Sequence, residues 1–350
     1  MEVKSNAVKC IQRVSPKIRE VHLTMIVTKL INEIVGGQLE ALDIFSLTVR
    51  GVVNDCSDAY APSLIHTVYP HLLRGIEQGA TQVKEECLDI CTEVFKRFGL
   101  IILRQPNLVN KEQLMTAINA QLTGGQTLSL RKRASYAMGQ FAVVLNNAQL
   151  SKLITLLLRK IDSRQAQADT IIQVQCLSII AKSIGSKLSP HLAQIIPSLD
   201  RLSADLSPEE SRDEDNELAE TALSTLEAII RKCPLEVSDH LAALLAKAFA
   251  LCAYDPNYQY NDDEDDEEMK GDDDDDGEGW GSDDEDDDGL AEDDDDTSWK
   301  VRKSAVAIID AVVRTRPDKV KSLIQSYADE LIDRVKERID DVKVEILTTF

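Results

Sequence analysis

The chain has 350 residues, a formal net charge of −22, 43% hydrophobic residues and only 4% aromatic ones. Much aliphatic and little aromatic surface favours helices packed on helices over an all-β sandwich, and no run of about 18 apolar residues is present to cross a membrane. Residues 262–296 hold 24 acidic residues and one basic residue, Lys270, leaving 38 basic and 37 acidic residues elsewhere. The chain therefore reads as a nearly neutral folded body carrying one very acidic insert, and that insert would repel phosphates, which argues against nucleic acid as a direct ligand.

Taken in chain order, apolar stripes of helical period begin near Val3, Leu39, Val83, Leu130, Ile172, Leu218, Trp299 and Val342. Their spacing is 36 to 47 residues once the acidic stretch is set aside. Val83, Cys87, Cys91, Val94 and Phe98 step by four or three, as do Val301, Ala305, Ile308 and Val312, which keeps one helix face apolar. Between them lies a second, more hydrophobic set: Val21–Val35, Pro62–Ile76, Asn110–Leu122, Gln149–Ile161, Pro190–Leu202, Ser238–Ala253 and Val320–Val335. Several of these open with capping chemistry. Ser189-Pro190 offers a cap followed by proline, Ser238-Asp239 and Asn110 are good caps, and Gln113 three residues after Asn110 suggests a capping box. Gly36-Gly37, Gly79 and Gly124-Gly125 mark ends. Alternating A and B helices at this period predict an all-α solenoid of about eight HEAT-type hairpins, because a single pair cannot bury both its faces and a stack can. Pro70 and Pro197 fall at comparable places inside A helices and favour HEAT over the three-helix armadillo unit. The expected division is 1–254 as HEAT repeats, 255–297 as a disordered acidic loop and 298–350 as further HEAT repeats. Both ends look cut, so a fragment, or one half of a split protein, is expected.

The search for catalysis is empty. There is no phosphate-binding Gly-rich loop and no nucleophile elbow, and the five histidines (His22, His66, His71, His191, His240) show no ligand spacing. No enzyme activity and no cofactor is expected. Cys87 and Cys91 share a helix face but lack a second ligand pair for zinc. Seven scattered cysteines suggest reduced thiols and a cytoplasmic or nuclear location. Asp272, Asp274, Asp276 and Gly277, and again Asp284, Asp286, Asp288 and Gly289, mimic half a calcium loop, as any Asp-rich run does; the closing Glu and the flanking helices are missing. Two uses of the acidic stretch stay open: a solvated spacer or an arm for a basic partner. Ser282 before Asp283-Asp284-Glu285 suits an acid-directed kinase. The candidate partner contacts are Asp272, Asp274, Asp276, Asp284, Asp286 and Asp288 in the insert and Arg131, Lys132 and Arg133 in the body. Lys4, Lys84, Arg131, Arg302 and Lys343 lie at B-helix starts, where an inter-repeat ion ladder is expected.

Ala253-Tyr254-Asp255-Pro256-Asn257-Tyr258-Gln259-Tyr260 before the acidic run, and Asp296-Thr297-Ser298-Trp299-Lys300-Val301-Arg302-Lys303 after it, carry a specific resemblance. With Asn6–Cys10, Leu39–Ile44, Leu130–Arg133 and Arg231–Val237, they make the chain similar to the N-terminal third of the cullin-associated, neddylation-dissociated HEAT family. That resemblance implies a non-enzymatic wrap around the C-terminal end of a cullin and its RING subunit, exclusive with the ubiquitin-like modifier, in support of substrate-receptor exchange. It also implies a partner polypeptide that supplies the family's missing C-terminal part. A HEAT-repeat nuclear transport receptor with an acidic loop and a histone-chaperone-like acidic protein are the alternatives.

Overall fold

The computed structural model describes residues 2–37, 41–164, 166–204, 206, 212–256 and 297–349. Among them there are fifteen α-helices and no strand. The odd-numbered helices are α1 (Glu2–Val14), α3 (Leu42–Asp55), α5 (Thr81–Arg104), α7 (Leu128–Phe141), α9 (Gln167–Ile184), α11 (Asp213–Lys232), α13 (Ser298–Thr315) and α15 (Asp340–Thr349). The even-numbered ones are α2 (Glu20–Val35), α4 (Ala61–Gln78), α6 (Lys111–Gly124), α8 (Asn147–Ser163), α10 (Leu192–Leu202), α12 (Leu241–Cys252) and α14 (Pro317–Asp333). Each odd helix packs on the next odd helix, so the B helices form one continuous layer and the A helices a second. Through most of the stack, successive B helices share more contact with one another than successive A helices do. The fold is a HEAT-type α-solenoid of seven A–B hairpins preceded by one B helix.

One core runs through the layers, from Leu23, Val27 and Ile31 at one end to Val342 and Ile346 at the other. It is aliphatic, as the composition requires, with small residues where helices meet closely. A Cβ on Gly139 of α7 would sit 2.3 Å from the Cγ2 atom of Ile179 on α9. Pro70 lies inside α4 and Pro197 inside α10, each removing one backbone donor from an A helix.

Local start signals divide. The Asn110 side chain accepts from the Gln113 amide and caps α6, but the Gln113 side chain turns to Glu77 and leaves the box half made. The complete capping box is at α8, where Asn146 and Gln149 satisfy each other's backbone amides. Ser189-Pro190 does not begin α10: both residues lie in a 3-10 stretch, Gly185–His191, and the helix starts at Leu192. Ser238 likewise precedes its helix, donating to the Leu235 carbonyl in a turn before α12. Gly79 and Gly125 end their helices in extended, negative-φ conformations, so neither is a left-handed cap.

Candidate partner-binding surface

Charged side chains on the B layer show which residues face outward. Asp89 of α5 is met by Arg133 of α7 at 2.5 Å and by Arg50 of α3 at 3.6 Å. Arg133 also reaches Glu86 at 3.3 Å. Burial among these neighbours pushes the Asp89 carboxyl up from its ordinary range, against the pull of Arg133 and Arg50. A group touched from both adjacent B helices lies along the open face of its own helix. Leu47 stands three residues before Arg50 and is 46% exposed, and Tyr136 stands three after Arg133 and is 58% exposed. Lys132, one turn before Tyr136, is exposed and makes no ion pair with a described residue. The B face thus offers a leucine, a tyrosine and a free ammonium around a fixed ion network.

The basic triplet therefore splits. Arg131 is paired with Asp169 of α9 and Arg133 with α5, so both are committed to holding repeats together. Lys132 alone is free for a partner. The six insert aspartates, Asp272, Asp274, Asp276, Asp284, Asp286 and Asp288, lie outside the described residues.

Of the five cations expected in an inter-repeat ladder, Arg131 and Arg302 reach across repeats, and the side chain of Lys4 lies outside the described residues. Arg131 reaches the next B helix. Arg302 is 1% exposed; its Nε and Nη2 donate to the Glu337 carboxylate at 3.0 and 3.3 Å, and its Nη1 to the Tyr254 carbonyl and Ser298 Oγ. Lys343 instead meets Asp340 within its own helix at 3.7 Å, and Lys84 makes no ion pair with a described residue. Position at a B-helix start does not supply an acid opposite. Lys303, one residue after Arg302, pairs with Asp341 at 2.7 Å and supplies a rung that its sequence position did not single out.

A second set of cations joins repeats at B-helix ends. Arg97 donates to the carbonyls of Asn54 and Cys56, Lys187 to that of Leu145 at 2.6 Å and Arg316 to that of Pro234 at 2.7 Å. Each satisfies a carbonyl at or just beyond the end of an earlier B helix, which is dipole compensation made across repeats instead of within one. The carbonyls they reach could not be read from the sequence.

The acidic insert has a fixed base. The Tyr254 hydroxyl donates to Asn216 Oδ1 at 3.1 Å, and Asn216 Nδ2 donates to Thr297 Oγ1 at 3.1 Å. Thr297 Oγ1 donates in turn to Asp213 at 2.8 Å. Arg338 holds Asp255 with two bonds of 3.1 Å. α11 packs directly on α13, so the stack continues across the insertion.

No protein-family model matches the chain. Cullin-associated NEDD8-dissociated protein 1 of Arabidopsis thaliana is 30% identical over 352 residues, aligned with all of this chain and 27% of that protein. Cullin-associated NEDD8-dissociated protein 2 of Mus musculus is 30% identical over 358 residues, again across the whole chain and 27% of its own length. This chain is a relative of the cullin-associated NEDD8-dissociated proteins. It spans about a quarter of the length of the curated relatives it matches. The C-terminal part of such a protein from Emericella nidulans is 41% identical over 168 residues, covering 42% of this chain and 16% of that one. Among solved structures, importin beta superposes with a TM-score of 0.67 at 11% identity over 98% of this chain and 38% of its own. The Kap95:Nup1 complex gives 0.63 at 12% identity over 98% and 36%. At that identity the likeness to importin beta is one of fold. Among the described residues no group of three or more His, Cys, Asp or Glu side chains is placed to hold a metal ion.

Proposed function

We propose that the chain is a non-catalytic scaffold that regulates cullin-RING ubiquitin ligases by holding a cullin against the B-helix face. The observation that carries this is the open B face, with Leu47, Lys132 and Tyr136 presented between ion-paired neighbours, in a chain related along its whole length to cullin-associated proteins. The preferred partner is the cullin's C-terminal end with its RING subunit, free of the ubiquitin-like modifier. Modifier and scaffold then exclude one another, and that competition supports substrate-receptor exchange as a coupling free energy between ligands. The aspartates of the insert are candidate contacts for basic surface on the same partner. A separate C-terminal part of a cullin-associated NEDD8-dissociated protein occurs in Emericella nidulans, and a second polypeptide of that kind is a candidate partner for exchange itself. All seven cysteines are free thiols and six are buried, in keeping with the reducing cytoplasm or nucleus.

Co-elution on a sizing column tests this reading. The purified chain is expected to shift with an unmodified cullin–RING pair and not with the neddylated pair. A Lys132→Glu/Tyr136→Ser variant should lose the shift while keeping its helical circular dichroism. Equal binding of both cullin forms removes the competition, and an unchanged shift in the variant moves the contact off α7.

A further inference from the structure

On the A layer, opposite the proposed cullin face, α12 and α14 lie side by side. Between them lies an open cleft of about 420 Å³ whose lining includes Phe249, Ala250, Tyr327, Glu330, Leu331 and Asp333. The rings of Phe249 and Tyr327 stack at 4.0 Å and 6° and bridge the two helices there. Ala250 presents no bulk to close the gap, and it is exposed. Glu330 and Asp333 are also exposed, and neither makes an ion pair with a described residue. Arg334 is the one cation among the lining residues. The cleft is thus an apolar slot with an aromatic floor and two uncommitted carboxylates.

Charge around the cleft points the same way. The chain leaves its α12 edge at Ala253 and nine residues later enters the stretch Asp262–Asp296, with its formal charge of −23. A cationic ligand is drawn toward such a field whatever conformation the stretch takes. Unpaired carboxylates beside an apolar slot then select a ligand that carries both cations and apolar side chains.

We propose that the α12–α14 cleft docks a basic amphipathic segment of a partner protein. A leucine or aromatic side chain enters over the Phe249–Tyr327 pair, and flanking lysines or arginines meet Glu330 and Asp333. The site is separate from the B face, so one chain can engage both ligands at once.

The test uses the full chain and a fluorescein-labelled helical peptide of leucine and lysine, read by fluorescence anisotropy. The expected result is saturable binding that weakens at least about tenfold, or roughly 1.4 kcal/mol, when Ala250→Trp fills the slot. Glu330→Gln/Asp333→Asn should weaken it as well and flatten its salt dependence, and this pair of substitutions covers the case in which the tryptophan disturbs folding. An all-lysine peptide of equal charge should bind much more weakly. No binding, undiminished binding to both variants, or equal binding of the all-lysine peptide each overturns the proposal, the second by moving the contact off the cleft and the third by placing the attraction on charge alone.

Discussion

Arg302 shows at the scale of one residue how the stack tolerates a buried charge. It is almost wholly enclosed, yet all three of its guanidinium nitrogens have acceptors, two of them on Glu337, whose side chain is only 7% exposed. Such a pair adds little net stability over a well-packed apolar pair, but breaking it strands the partner. Arg302→Met is expected to cost about 3 to 5 kcal/mol in urea unfolding followed by circular dichroism, because Glu337 loses its guanidinium counter-ion and keeps only the Arg338 and Ile339 amides, and the Tyr254 carbonyl loses the Arg302 donor. Adding Glu337→Gln should restore part of the loss. A cost below about 1 kcal/mol for the single change would mean that water reaches the site freely. Buried thiols give the pH counterpart. Burial pushes Cys87, Cys176 and Cys252 up to about 12, whereas thiols of the unfolded chain titrate near 8.5. From about pH 9 upward the unfolded chain has released protons that the folded chain still holds, so stability falls as pH rises. Each of the three thiols subtracts about 1.4 kcal/mol per pH unit across that window, and none of this is felt at neutral pH. Urea midpoints measured from pH 7 to 10.5 should therefore be flat at first and then drop steeply. The drop should be shallower in Cys87→Ala/Cys176→Ala/Cys252→Ala, and parallel curves would refute the assignment.

At the scale of the helix, the B layer depends on close approach. Gly139 lets α7 lie against Ile179 of α9, and no alanine methyl fits in the space as it stands. Gly139→Ala should destabilise by about 1 to 3 kcal/mol despite the better helix propensity of alanine, because overpacking outweighs the propensity gain of up to about 1 kcal/mol. Ile179→Ala in the same chain should cancel much of that cost, and a double-mutant cycle on thermal melts measures the coupling. Additive effects would show that α7 and α9 separate without penalty. Helices of this kind were legible from the sequence because each buried stripe repeats within one helix: Val83, Cys87, Cys91, Val94 and Phe98 all face the core, as their spacing requires. Their starts were less legible. A Ser-Pro pair has cap chemistry wherever it occurs, and nothing in the pair itself tells that Ser189-Pro190 belongs to a 3-10 turn before α10. Lys132 was named among partner contacts together with two arginines that the fold has already engaged, since spacing reveals a charge but not the acid across the groove.

Across the whole molecule, the contacts that join repeats link residues far apart in the chain. Asn216 meets Thr297, Arg316 meets Pro234 and Arg338 meets Asp255, each more than 75 positions away. Periodicity announces a stack, but it does not name such partners, and the α12–α14 cleft is equally silent in sequence because it depends on how side chains of two separate A helices meet. These contacts have a mechanical consequence. Tyr254 and Thr297 are tied to the same Asn216 side chain, and Arg302 and Arg338 hold Tyr254 and Asp255 from the other side. The helices on either side of the insertion are therefore joined by their own packing and by this polar clasp. Replacing residues 257–296 with about six glycine and serine residues, which span roughly 20 Å when extended, should leave the helical signal per described residue unchanged. The melting temperature should hold or rise slightly, since 24 like charges no longer repel one another. The same excised chain should still bind the leucine–lysine peptide, more slowly and with a smaller salt dependence, because the field is gone while the Phe249–Tyr327 slot remains. A melt lowered by about 10 °C or more would show that the insertion contributes to the stack itself. Asn216→Ala in the excised chain then separates the two sources of order: if the clasp matters, this second change costs stability that the excision alone does not.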